Sequence, residues 1–166
     1  MRALVQRVSS AQVQADGKVT GRIGRGVLVY LGIGSADRSA AAEKLAEKIA
    51  HLRIFQDEQG KLNLSVRDVR GGVLAVPNVT LLGDARKGRR PAFSGAAAAQ
   101  LAQPLYEAFT AALQREGLQV AKGVFGAEMI IRSEAAGPVN IIVDIPVGGE
   151  DAPLAGDKDN RTTRQT

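Results

Sequence analysis

Apolar residues alternate with polar ones along the opening of the chain, and this period of two predicts strands over residues 3–8 and 11–15. Asp16-Gly17 offers a tight turn, because both residue types tolerate positive φ, and residues 18–23 read as the return strand. Residues 26–33 form a continuous apolar run bounded by glycines, which fits a central strand covered on both faces. The pattern then lengthens. Leu45, Ile49 and Leu52 recur at spacings of four and three, with Glu43, Lys44, Glu47 and Lys48 opposite, so residues 39–53 read as an amphipathic helix capped by Asp37 or Ser39. Residues 73–82 return to a strand pattern, interrupted at Pro77, which cannot donate to a ladder. Leu101, Leu105, Phe109 and Leu113 mark a second helix, with Gly117 just past its end and Pro104 either starting its first turn or kinking it. Residues 118–121, 124–132 and 139–145 read as closing strands. The expectation is an α/β fold: one compact domain over residues 1–146, with mixed, largely antiparallel sheets and two main helices. Residues 147–166 are small, polar and aperiodic, and read as a flexible tail.

Composition narrows the chemistry. The 166 residues are 45% hydrophobic and 23% charged, which suits one folded domain with a real core. There is no cysteine, which excludes disulfides, thiolate nucleophiles and iron–sulfur clusters. A single histidine, His51, excludes a histidine-rich metal site, and no metal or cofactor is expected. A lone helical histidine is more often packed or surface-exposed than catalytic, so His51 is assigned no role. No apolar run is long enough to span a membrane, and the first seven residues are too polar for a signal peptide, so a cytoplasmic protein with no membrane partner is expected.

The net charge of +5 is concentrated in one stretch. Residues 61–90 carry Lys61, Arg67, Arg70, Arg86, Lys87, Arg89 and Arg90 against Asp68 and Asp84 alone. Such a stretch suits a polyanion such as nucleic acid, since each neutralised phosphate releases counterions. A solvated loop is the competing explanation. Two tyrosines, four phenylalanines and no tryptophan make a stacking platform for single strands a poor fit.

No phosphate-binding P-loop, H-E-x-x-H or G-x-S-x-G pattern occurs, and the glycines of residues 21–26 fit a turn between strands rather than a nucleotide loop. Two segments with prolines beside strand residues remain: residues 76–81 and 136–140. Thr80 is either a strand threonine or a hydroxyl facing a carbonyl substrate. Gly137-Pro138 is either a turn before the last strand or a rigid, side-chain-free wall with a cis bond that excludes one substituent of a substrate.

The ordered set of Met1-Arg2-Ala3-Leu4-Val5-Gln6-Arg7-Val8-Ser9, Leu52-Arg53-Ile54-Phe55, Lys61-Leu62-Asn63-Leu64-Ser65, Arg86-Lys87-Gly88-Arg89-Arg90-Pro91-Ala92-Phe93-Ser94, Leu105-Tyr106-Glu107-Ala108-Phe109 and Phe125-Gly126-Ala127-Glu128-Met129 resembles the D-aminoacyl-tRNA deacylases. The resemblance runs from Met1 to about Ile145. It implies a homodimer with active sites at the interface, and a glycine–proline element, here Gly137 and Pro138, that reaches the neighbouring subunit's pocket. It also implies that the family's strand motif of serine, glutamine, an apolar residue and threonine falls on Pro77, Asn78, Val79 and Thr80. Arg7 would hold the glycine–proline segment, Phe125 and Met129 would line or support an adenosine pocket, and Arg86, Lys87, Arg89 and Arg90 would grip the tRNA. The chain departs from the family pattern at Pro77 and Asn78, and at Asn140, where threonine is common. A related animal deacylase with relaxed chirality also carries proline at the first of these positions.

The implied reaction is hydrolysis of D-aminoacyl-tRNA, and of glycyl-tRNA mischarged on tRNA-Ala, to the free amino acid and tRNA. An aminoacyl ester needs mainly an oriented water and oxyanion donors. The resemblance favours a substrate-assisted route, in which the 2′-hydroxyl of the terminal adenosine assists and the protein contributes backbone N–H groups, whereas a nucleophilic Thr80 would need a base that the sequence does not offer. The alternatives are a non-catalytic RNA-binding protein on the same fold, a deacylase of relaxed chirality, and a small-molecule esterase.

Overall fold

A computed structural model describes residues 1–146, and the polar tail expected at 147–166 lies outside the described residues. Strand β1 runs unbroken from Arg2 to Ala15, so the two strands expected at the start are one. Its pairing register shifts around Arg7 and again before Ser10, and a bulge of this kind twists a strand and re-aims its side chains. Ala3 and Val5 therefore pack into one core, and Val8, Ala11 and Val13 into another. The turn at Asp16 and Gly17, both at positive φ, leads into β2 (Lys18–Ile23), and β3 (Gly26–Gly32) follows.

Helix α1 spans Ser39–Ala50, ending short of Arg53. Neither Asp37 nor Ser39 caps it: the cap residue is Arg38, which makes no side-chain capping bond. Asp37 is otherwise occupied, being buried with one oxygen 2.6 Å from the Met1 ammonium and the other accepting from the Gly34 N–H. Two short strands the periodicity is too brief to reveal, β4 (Phe55–Gln56) and β5 (Leu62–Leu64), pair as a hairpin. Then come β6 (Gly72–Pro77), a 3-10 helix over Val79–Leu82, α2 (Ala99–Arg115), β7 (Gln119–Lys122) and β8 (Met129–Asp144). Pro104 lies inside α2 rather than at its start, and Gly117 at φ +80 follows the end of the helix.

The main sheet has the order β2-β1-β3-β6-β7, and β8 pairs along the opposite edge of β1. The β3·β6 and β6·β7 pairs are parallel and the pairs of β1 are antiparallel, so the sheet is mixed as expected. One face presents Val27, Val29, Val73 and Ala75 to Leu45, Ile49, Leu105, Phe109 and Leu113 of the two helices. The other presents Leu28, Leu74 and Val76 to Val8, Val13 and Ile23, because the bulged β1 curls back over it. Burial on both faces is why residues 26–33 read as uninterrupted apolar sequence. No helix among the described residues is long and apolar enough to cross a membrane.

Candidate functional site

Parallel strands β3 and β6 end side by side, and an open, mainly apolar cavity of about 530 Å³ lies beyond their carboxyl ends. One wall is the chain leaving β6. Pro77 has no N–H with which to extend the ladder, and the Asn78 N–H closes it by donating to Leu31 O at 2.8 Å. Asn78 then caps the 3-10 helix: its Oδ1 accepts from the Thr80 N–H at 3.2 Å and from the Thr80 hydroxyl. The strand expected over residues 73–82 therefore stops at Pro77, and Thr80 sits on a helical turn rather than a strand. Proline followed by a strong N-cap residue outweighs the β propensity of Val79 and Thr80.

This turn leaves one main-chain donor over. The Thr80 N–H goes to Asn78 Oδ1 and the Leu81 N–H to Asn78 O, whereas the Val79 N–H meets no acceptor among the described residues. Pro77, Asn78 and Val79 line the cavity. Thr80 adjoins it, with its hydroxyl proton committed to Asn78 and no histidine beside it. His51 is elsewhere, within 2.9 Å of an Arg67 nitrogen and 3.2 Å of Glu116.

The facing wall comes from the segment between β7 and β8. Gly126 at φ +76 and the Ala127 N–H bond to Val124 O make residues 124–128 a turn, so the strand expected from 124 begins only at Met129. Phe125, Gly126, Ala127, Met129 and Ile131 line the cavity from this side. The walls touch at their base: a Cβ on Gly123 would fall 2.9 Å from the Met129 sulfur and 3.3 Å from Pro77 Cδ. Tyr30, Leu31 and Ala102 are among the other lining residues and escape sequence reasoning, although Tyr30 is the one polar-tipped residue in the run 26–33. Burial pushes its phenol up in pKa.

Gly137 and Pro138 are not at this cavity in the single chain. Their peptide bond is cis, both are exposed, and β8 continues through them, so they form no turn. Gly137 lies six residue steps along the strand from Ile131, roughly 20 Å at the ordinary rise. Arg7 is beside them: its Nε donates to Ala136 O at 2.9 Å and a terminal nitrogen to Ile54 O at 2.7 Å. Gly137 has φ +127, and a Cβ there would lie 2.6 Å from the Arg7 guanidinium.

The basic loop leaves directly from the 3-10 helix. Asp84 and Ala92 exchange both backbone hydrogen bonds and close it. Arg86 forks onto Asp84 at 2.9 and 2.7 Å, and these bonds hold the Asp84 carboxyl at a pKa of about 2. Arg86 is thus partly neutralised, while Lys87, Arg89 and Arg90 are exposed and make no ion pair among the described residues.

Residues 4–144 match the family model described as D-Tyr-tRNA(Tyr) deacylase. The D-aminoacyl-tRNA deacylase of Anaeromyxobacter dehalogenans (strain 2CP-C) is 54% identical over 144 residues, covering 87% of this chain and 97% of that one. The enzyme of the same name from Thermus aquaticus is 53% identical, covering 87% and 95%. Among solved structures, the c-Myc DNA Unwinding Element Binding Protein superposes with a TM-score of 0.82 at 37% identity, covering 88% of this chain and 99% of that one. A probable eukaryotic D-amino acid tRNA deacylase shares the fold, with a TM-score of 0.75 at 23% identity over 87% and 98% of the two chains. With a match spanning both cavity walls, the basic loop and the glycine–proline strand, the chain belongs to the D-Tyr-tRNA(Tyr) deacylase family.

Proposed function

We propose that this protein hydrolyses D-aminoacyl-tRNA to free D-amino acid and tRNA, a chirality proofreading step that also removes glycine from mischarged tRNA. The observation that carries the reading is the unoccupied Val79 N–H at the rim of an apolar cavity, beside a threonine whose hydroxyl proton is already engaged. The terminal adenosine enters between Phe125 and Met129, and the ester carbonyl oxygen accepts from Val79. Water, oriented by the adenosine 2′-hydroxyl, adds to the carbonyl carbon. The ester C–O bond then breaks and a proton passes to the departing 3′-oxygen. Pro77 and Asn78 shape the turn, and Thr80 steadies it rather than attacking.

Selection among amino acids falls to Gly137-Pro138 of a second copy. β8 is a sixteen-residue strand whose outer edge pairs with no strand among the described residues, and its Ile130 and Ile142 side chains are 57% and 63% exposed. A long edge of this kind calls for a partner. Two-fold pairing would bring each glycine–proline element toward the other subunit's cavity, with Arg7 bracing it. Lys87, Arg89 and Arg90, with Arg86 contributing less, hold the tRNA phosphates. The substrate puts this work in the cytoplasm.

A second reading, nucleic-acid binding without catalysis, draws on the 37% identical c-Myc DNA Unwinding Element Binding Protein and on the basic loop. Deacylation of matched D-, L- and glycyl-tRNA decides between the two, with sedimentation measured on the same samples. Cleavage of the D- and glycyl- substrates alone, by a dimer, is the expected result. Cleavage of all three would indicate relaxed chirality, and tRNA binding without turnover of any would sink the enzyme reading.

A further inference from the structure

Tyr106 touches no substrate-facing surface, yet its hydroxyl sits where the two walls of the cavity originate. It is 1% exposed on α2, and its oxygen lies 3.0 Å from Ala75 O and 3.2 Å from Gly123 O. Ala75 is two residues before Pro77, the start of one wall. Gly123 opens the segment that forms the other. The two carbonyls are not equally dependent on Tyr106. Ala75 O already accepts the Gly123 N–H at 2.8 Å, whereas Gly123 O, in a buried residue, has no other donor among the described residues. The phenol has one proton for the pair, and Gly123 O is the acceptor that needs it. Burial pushes the phenol up in pKa, so it remains a donor at every working pH. The ring also meets Phe125, with centroids 6.3 Å apart and planes at 42°.

We infer that Tyr106 is a positioning residue: through its hydroxyl on Gly123 O, whose own N–H is tied to Ala75 O, and its ring against Phe125, it sets the separation of the cavity walls. It thereby sets affinity for the nucleoside end of the substrate. The inference rests on the function proposed above for the cavity. Its consequence is a KM effect, because wall spacing governs occupancy while the turn that presents the Val79 donor is held separately, by Asn78 on Leu31 O and Thr80.

The test compares full-length Tyr106→Phe with Thr110→Val. Thr110 is also buried on α2, but its hydroxyl donates only to Glu107 O, at 3.0 Å within the helix. Each is measured for D-tyrosyl-tRNA deacylation, thermal unfolding and amide hydrogen exchange. Tyr106→Phe should raise KM about tenfold, the scale of one buried carbonyl left unpaired, with kcat within about twofold. It should also speed exchange across residues 123–128. Thr110→Val should lower Tm and change neither. An unaltered KM in Tyr106→Phe, or the same KM rise in Thr110→Val, overturns the inference. If the wild type fails to deacylate, the proposed function falls, and the exchange of 123–128 alone then decides whether Tyr106 positions the wall: faster exchange supports it and unchanged exchange ends it.

Discussion

Val79→Pro is the sharpest probe of the proposed chemistry, because it deletes one backbone donor and little else. Val79 is the first residue of the 3-10 helix, and the first helical position tolerates proline, whose missing N–H has no intrahelical acceptor there anyway. The preceding residue must be extended, and Asn78 already is, at φ −143 and ψ 91. The Val79 side chain is 54% exposed, so little buried apolar surface is lost. Fold stability should therefore stay close to wild type. Catalysis should not. Removing one oxyanion donor costs about 2.7–4 kcal/mol at the transition state, or roughly a hundred- to a thousandfold in kcat. Val79→Ala, which trims the side chain and keeps the donor, should fall by less than about fivefold. Single-turnover deacylation of D-tyrosyl-tRNA at saturating enzyme isolates the chemical step from binding. A folded Val79→Pro protein working within threefold of wild type would refute the assignment of Val79 as the oxyanion donor.

Gly137→Ala should destabilise the fold: positive φ costs about 1–3 kcal/mol and a displaced Arg7 hydrogen bond about 1.5–3, together a Tm fall of roughly 10 °C. Calorimetry checks this, and an unchanged Tm with intact D-over-L selectivity would argue against the wall. Replacing Arg89 and Arg90 together by alanine should raise KM with kcat held, and flatten the slope of log affinity against log salt by about 1.4–1.8. A filter-binding salt series measures the slope, and an unchanged slope would move the phosphate contacts elsewhere. The Asp84 pKa is lowered in the fold, so its contribution to closing the basic loop is full above the ordinary 3.8 and lost as pH falls through about 2. Carboxyl NMR should find that midpoint, and Arg86→Ala should bring it back toward 3.8.

The elements built on sustained periodicity were legible: α1, α2, and β3, whose burial on both faces leaves an unbroken apolar run. What escaped was local. β1 keeps one hydrogen-bonded line through Arg7 by bulging, and the pattern at Val8 and Ser9 reads the bulge as a break. Asp37 looks like a helix cap, but a long-range partner, the Met1 ammonium, claims it. Residues 124–128 carry β-prone Val124 and Phe125, and Gly126 at positive φ overrides them. Among the expected site residues, Pro77, Asn78, Val79, Phe125 and Met129 do gather at one cavity. Gly137 and Pro138 share only a strand with it; in the function proposed above they act from a second chain, which periodicity within one chain cannot register.

The departures at Pro77 and Asn78 gain a physical meaning from the same turn. If catalysis rests on the Val79 N–H, what the flanking residues must supply is backbone geometry, not functional groups. Pro77 ends the ladder without leaving a donor idle, and asparagine is among the strongest N-cap residues, unlike the glutamine usual in the family. The Asn78 carbonyl group, bonded to both Thr80 N and its hydroxyl, is what keeps the turn in place. Asn78→Ala should therefore cost about 0.5–2 kcal/mol of stability and reduce turnover by loosening the donor. Asn78→Asp, which keeps the capping oxygen, should retain the turn and most of the activity. Unfolding curves and single-turnover rates on the pair separate the two ideas. If Asn78→Asp were as inactive as Asn78→Ala while remaining as stable as wild type, the amide itself would be taking part in the chemistry, and the backbone account would be incomplete.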